Sequence, residues 1–191
     1  MNTQIVKDNI KQLYRDYAFA WQTISEDSWK KKVMSLKPGE SAPKKGELFF
    51  TEDIDRFREQ ADGFRQRGLA EVEAVLDRVG EVKAAAPSTE ACNYISMLRD
   101  RKNPTERDIE VALLHYGDNY SAHNAIIDIA DDNKIRGFIR TTPLDAIENR
   151  FGEIRDNLNQ MNVFTAQRQN PTSGYVTMVE MMVDEIPDQI I

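Results

Sequence analysis

The sequence predicts an all-α protein in which long amphipathic helices form a bundle and a small three-helix unit packs on its own. Apolar residues recur at steps of three and four through several separate segments, which is the helical period. Residues that start and stop helices bracket those segments. Only the C-terminal tail has the β-branched content that leaves a strand open beside a helix. The chain has 191 residues, 40% of them hydrophobic, enough to bury a core without staples.

The first helix follows from Val6, Ile10, Leu13, Tyr17, Ala20 and Ile24, with Tyr14 and Trp21 widening the stripe. It either continues through Trp29 and Val33 to Leu36 or is recapped at Ser25-Glu26-Asp27-Ser28, and Pro38-Gly39 stops it. Residues 37–50 read as a Lys/Pro/Gly loop. The second helix opens at Thr51 with Glu52 and Asp53 in its first turn. Its seam is Ile54, Phe57, Ala61, Phe64, Gly68, Val72, Val75, Val79 and Val82. Unbroken from 52 to 83 it is about 48 Å long. Gly63, Gly68 and Gly80 weaken it by up to about 1 kcal/mol each, so neighbouring helices must supply its stability. These two long helices make up residues 1–86.

Three shorter helices follow within 88–136. The first carries Ala91, Tyr94, Ile95 and Leu98 and ends before Pro104. The second starts at Thr105 with Asp108 three residues on, presents Ile109, Ala112, Leu113 and Tyr116, and ends at Gly117 as a C′ glycine. The third, from Tyr120 to about Asp132, turns Ala122, Ile126, Ile129 and Ala130 inward. Helices this short need each other, so 88–136 is expected to be compact. Thr142-Pro143-Leu144-Asp145 then starts a helix over 141–164, with the seam Leu144, Ile147, Phe151, Ile154, Leu158 and Met161, expected to return to the bundle. Asn170 to Gly174 reads as a linker and 171–191 as an apolar tail. In that tail Tyr175, Val176, Val179, Met182, Val183 and Ile186 are expected to form a partner-binding segment, with completion of the chain's own core as the alternative.

Chemistry is sparsely supported. Cys92 is the single cysteine, so an intrachain disulfide is excluded, and it reads as a small buried hydrophobe. His115 and His123, eight residues apart, do not form a metal-binding pair, and no phosphate loop, nucleophile elbow or dinucleotide fingerprint occurs. The sequence therefore reads as a non-enzyme with no cofactor and no metal. No apolar run approaches the ~18 residues needed to cross a bilayer, and the first twenty residues lack a signal peptide's apolar stretch, so a soluble cytoplasmic protein without a membrane partner is expected.

Net charge is −7, unevenly spread. Lys30, Lys31, Lys32, Lys37, Lys44 and Lys45 face only Glu40 between them, a candidate patch for a polyanion or an acidic partner. The acidic balance elsewhere makes nucleic acid an unfavourable partner.

Residues Asn93-Tyr94-Ile95-Ser96-Met97-Leu98, Tyr116-Gly117-Asp118-Asn119-Tyr120-Ser121-Ala122 and Ile126-Ile127-Asp128-Ile129-Ala130 resemble small helical proteins from structural modules of prophages of Gram-positive bacteria. That resemblance implies a phage protein in a bacterial cytoplasm or virion, with a role in virion assembly. Val111-Ala112-Leu113-Leu114, Gly117-Asp118-Asn119 and Ala125-Ile126 also resemble the later helices of ubiquitin-associated-type three-helix modules, although the first helix lacks their Met-Gly-Phe/Tyr loop.

The function expected is that of a non-enzymatic structural or assembly protein. Its heptad helices, coiled-coil fashion, are expected to offer homo-oligomer surfaces or to meet other assembly proteins. The alternative is a nucleic-acid-binding regulator using the 88–136 unit in helix-turn-helix fashion. Arg99, Arg101, Lys102 and Arg107 favour that alternative; Glu106, Asp108 and Glu110 oppose it.

Overall fold

The computed structural model describes residues 3–166 and 173–187, and among them every regular element is a helix. Seven are present: α1 Gln4–Met34, α2 Thr51–Ala84, α3 Thr89–Asp100, α4 Glu106–Tyr116, α5 Tyr120–Asp132, α6 Pro143–Ala166 and α7 Ser173–Asp184. None of the described helices is long and apolar enough to cross a membrane. Two compact units are formed, one by residues 76–148 and the other by the described residues of 2–75 and 149–189.

In the unit of 76–148, α3, α4 and α5 pack around Ala91, Ile95, Leu98, Ile109, Ala112, Ala122, Ile126, Ile129 and Ala130, with Ile135 and Phe138 of the following segment laid against them. Each helix is started by a side chain of its own sequence. Ser88 Oγ accepts from Ala91 N, and Asn119 Oδ1 accepts from Ala122 N. Thr105 and Asp108 form a reciprocal capping box. Gly117 follows α4, as the sequence suggested, but its φ of −70° is right-handed. Glycine is needed there for room, since a Cβ would lie 2.4 Å from the carbonyl oxygen of Leu113.

The same unit holds a polar hub at Asp145. Its carboxylate accepts from Thr142 N and Oγ1, both at 2.8 Å, which caps α6. It also accepts from Lys83 Nζ at 2.5 Å and from Tyr120 Oη at 3.1 Å. Asp145 thus links the end of α2, the start of α5 and the start of α6. Burial works to raise its pKa, but the bonds from Lys83, Thr142 and Tyr120 outweigh it and hold the carboxyl at about 2.

In the other unit α1 is one continuous helix. Ser25 and Ser28, which the sequence left open as a recapping point, turn their hydroxyls to other uses: Ser25 Oγ donates to Gln22 O, and Ser28 Oγ accepts from Phe49 N. Tyr17 stacks on Phe57 with ring centroids 5.5 Å apart, and Trp21 meets the same ring edge-on at 4.8 Å. Side chains of α1 and α6 meet at Gly68 of α2. A Cβ there would lie 2.6 Å from Leu158 Cδ2 of α6 and 3.3 Å from Leu13 Cδ1 of α1. The α6 seam Phe151, Ile154, Leu158 and Met161 is fully buried, and so are Ile10 and Tyr17 of α1, with Leu13 nearly so. The seams of α1 and α6 are therefore largely buried inside one chain, while Ile54, Phe64 and Val82 of the α2 seam are half-buried.

The tail is helical. The sequence left a strand open for it, but Val179, Val183 and Ile186 recur at helical steps and are buried, which a helix packed on α1 achieves without a strand to pair with. Ser173 and Gly174, read as linker, lie in the first turn of α7. Residues 170–172 of that linker, and 171–172 and 188–191 of the tail, lie outside the described residues.

The glycines of α2 give a first test. Nothing lies within 4 Å of a Cβ built on Gly63. Gly63→Ala should raise stability by about 0.5–1 kcal/mol through helix propensity and unfolded-state entropy. Gly68→Val should lower it by about 1–3 kcal/mol through overpacking against Leu158 and Leu13. Urea unfolding of both variants checks the pair, and a destabilised Gly63→Ala or an unaffected Gly68→Val would contradict this packing.

A second test concerns pH. A carboxyl whose folded pKa lies below its unfolded value of about 3.9 contributes stability above that value and loses it as pH falls through the folded one. Asp145→Asn should therefore melt below the parent chain at pH 7, and the gap should close as pH falls toward 2. Thermal scans from neutral pH to about pH 2 follow it, and a gap independent of pH would exclude the charge of Asp145 as the cause.

Candidate interaction surfaces

Three of the six lysines of the candidate polyanion patch have partners within the chain. Lys30 pairs with Glu26 at 3.1 Å, one turn away on α1. Lys31 bridges Glu52 at 3.0 Å and the buried Asp53 at 2.8 Å, which ties the end of α1 to the start of α2. These carboxylates raise the pKa of Lys31. Lys45 sits 4.7 Å over the ring of Trp29, whose indole N–H donates to Pro43 O at 2.9 Å. Lys32 is half-buried, while Lys37 and Lys44 are exposed. The lysines thus anchor the 35–50 loop as much as they charge it. The Lys31 partners were not legible from local sequence, because they lie 21 and 22 residues further along the chain.

The tail residues divide by face. Val179, Val183 and Ile186 are buried, whereas Tyr175, Val176 and Met182 are half-buried. The Tyr175 ring packs edge-on to Tyr14 with centroids 5.7 Å apart, and its hydroxyl donates to Asn157 O at 3.4 Å. Burial raises the pKa of Tyr14 and Tyr175, so both stay neutral in the core. A polar row runs beside the apolar one. Thr3 Oγ1 donates to Pro187 O at 2.5 Å and Lys7 Nζ to Ile186 O at 2.7 Å, while Lys11 pairs with Asp184, and Arg15 with Glu180 at 2.7 Å. Residues 3, 7, 11 and 15 are one face of α1, four residues apart, and they meet α7 and the segment after it in antiparallel order. The inner half of the expected partner-binding segment is therefore part of the chain's own core.

The outer face of α7 is different. Gly174, Thr177, Met178, Met181, Met182 and Glu185, with Arg150 of α6, line an open groove of about 580 Å³. Met178 is 43% and Met181 62% exposed. Arg150 forms ion pairs with Glu185 and with Glu153, so one cation at the rim is shared by two carboxylates. The sequence concentrates Met178, Met181 and Met182 in the tail, but which stripe of α7 faces out depends on where α1 lies.

The residues considered for chemistry do not converge. Cys92, expected to be buried, is exposed, because the inward stripe of α3 passes through Ala91, Ile95 and Leu98 and leaves its neighbour outside. His115 is exposed, and a ring nitrogen of His123 lies 3.2 Å from Ile139 O. Among the described residues no group of three His, Cys, Asp or Glu side chains is placed to hold a metal ion. Of the basic residues favouring nucleic acid, Arg101 is paired with Asp108. Comparison with protein-family models, with curated proteins and with solved structures gives no match.

The two faces of α7 should respond differently to substitution. Val183→Asp buries an unpaired carboxylate, costs several kcal/mol, and should abolish or strongly lower the thermal transition. Lys11→Ala removes an ion pair whose carboxylate partner, Asp184, is well exposed, and should cost about 1 kcal/mol. Equal losses in the two variants would show that charge, not burial, holds α7 in place.

Proposed function

We propose that this chain is a non-enzymatic structural or assembly protein that works by presenting a helical surface to another chain. The observation that carries the reading is the outer face of α7, where three methionines line an open groove on a helix whose opposite face is already buried. Methionine thioethers are flexible and polarizable and suit apolar docking surfaces. A phage setting, with a part in virion assembly, rests on the resemblance of residues 93–98, 116–122 and 126–130 to prophage structural proteins. A cytoplasmic or virion location follows from that setting.

The test is a photo-reactive phenylalanine analogue in place of Met181, irradiated in the native cell. A covalent adduct with any protein chain is expected. Irradiation that returns only unmodified chain would overturn the interaction reading, and a catalytic turnover abolished by His115→Ala or Cys92→Ser in a folded protein would overturn the non-enzymatic one.

A further inference from the structure

We infer that the groove between α1 and α2 beside Gly68 binds a free aliphatic α-amino acid, with its carboxylate on Arg67 and its ammonium on the carboxylates of Asp16 and Glu71. This site shares no residue with the outer face of α7, so it does not depend on the interaction reading. Leu13 Cδ1 comes within 3.3 Å of where a Cβ on Gly68 would stand, so α1 lies close against α2 at this level. On the flank of that contact the two helices enclose a groove of about 220 Å³. Ile10 and Leu13, both buried, are its apolar lining; Asn9, Gln12 and Asp16 of α1 and Arg67 and Glu71 of α2 are its polar lining. The volume lies below the ~300–1,000 Å³ of sites for drug-sized ligands and suits a molecule of amino-acid size.

The polar groups are held in place with bonding capacity to spare. The Arg67 guanidinium lies 5.0 Å over the Phe64 ring, and its Nε donates to Gly63 O at 3.3 Å. Among the described residues Arg67 makes no ion pair, so its Nη groups remain as the paired donors that a carboxylate takes in bidentate fashion. Glu71 Oε1 accepts from Asn9 Nδ2 at 3.1 Å, and Asp16 Oδ1 accepts from Gln12 Nε2 at 2.8 Å. Neutral amides supply those two bonds, so each carboxylate keeps its charge and a second oxygen for an incoming donor.

Opposite charges thus line one groove without pairing with each other, and this selects the ligand. A simple amine would meet Arg67, and a simple carboxylate would meet Asp16 and Glu71. A zwitterion satisfies both signs at once. An aliphatic side chain adds contact with Ile10 and Leu13. Asp16 and Arg67 are exposed and Glu71 is half-buried, so water competes for every charge and the affinity should be millimolar.

NMR titration of the isotope-labelled full chain with L-leucine should shift amides of residues 9–16 and 63–71, saturating below about 50 mM. Leucine methyl ester, which lacks the carboxylate, isocaproate, which lacks the ammonium, and free glycine, which lacks the side chain, should each bind at least about tenfold more weakly. These comparisons use the parent chain and need no variant to fold. Arg67→Gln should lower leucine binding to the level of the ester, and the double variant Asp16→Asn, Glu71→Gln should lower it to the level of isocaproate. No saturable shift with leucine, shifts confined to other residues, or the ester and isocaproate binding as tightly as leucine would overturn the site. Folded variants that bind leucine as tightly as the parent would overturn the assigned charges.

Discussion

The unit formed by α1, α6, α7 and the first part of α2 depends on one close approach, that of Leu13, Gly68 and Leu158. Helix axes ordinarily pack 8–10 Å apart, at a distance set by the side chains between them. At Gly68 there is no side chain, and the terminal methyls of Leu158 and Leu13 occupy the place a Cβ would take. The level of that contact fixes the register on both sides. Toward the end of α1, Tyr17 and Trp21 meet Phe57, and Lys31 reaches Asp53. Toward its start, Val6 and Ile10 are buried and Lys7 binds Ile186 O. The conformational cost of a glycine inside a helix, about 1 kcal/mol, is small beside the burial of two leucines at about 1.5–3 kcal/mol each.

Apolar packing outweighs charge in holding α7. Lys11–Asp184 and Arg15–Glu180 each involve a well-exposed side chain, and pairs of that kind contribute no more than about 1 kcal/mol. Val179, Val183 and Ile186 together remove three large side chains from water, worth several kcal/mol at ordinary transfer energies. The ionic row selects direction and register: a reversed α7 would place Glu180 and Asp184 away from Arg15 and Lys11. Lys7 belongs to both rows, since it is buried and its ammonium is held by a backbone carbonyl.

What was legible in the sequence is what is decided within a few residues. Thr105 with Asp108 and Thr142 with Asp145 cap their helices because cap and partner are three residues apart, and the seam from Leu144 to Met161 is buried throughout. Features that depend on another element were not legible. Gly68 read as a weak point because Leu158 lies ninety residues away, and Cys92 read as buried because one step of rotation separates it from Ala91. The tail had two apolar stripes, and only the position of α1 determines which is inside. The partners of Lys31 were hidden for the same reason, since Glu52 and Asp53 stand on another helix.

A seam of heptads does not by itself make an oligomer. Seams on α1, α2 and α6 all predict burial, but burial within one chain satisfies them as well as burial between chains, and most of the residues along them are covered here. Other large apolar side chains remain exposed, among them Ile5, Phe19, Met97, Leu114 and Ile139, on several different elements, and isolated exposed hydrophobes are ordinary on any surface. Met178 and Met181 differ because they stand one turn apart on a single helix, beside Met182, and line one groove with Arg150 and Glu185. Contiguity, more than hydrophobicity alone, sets this face of α7 apart from the scattered exposed side chains elsewhere.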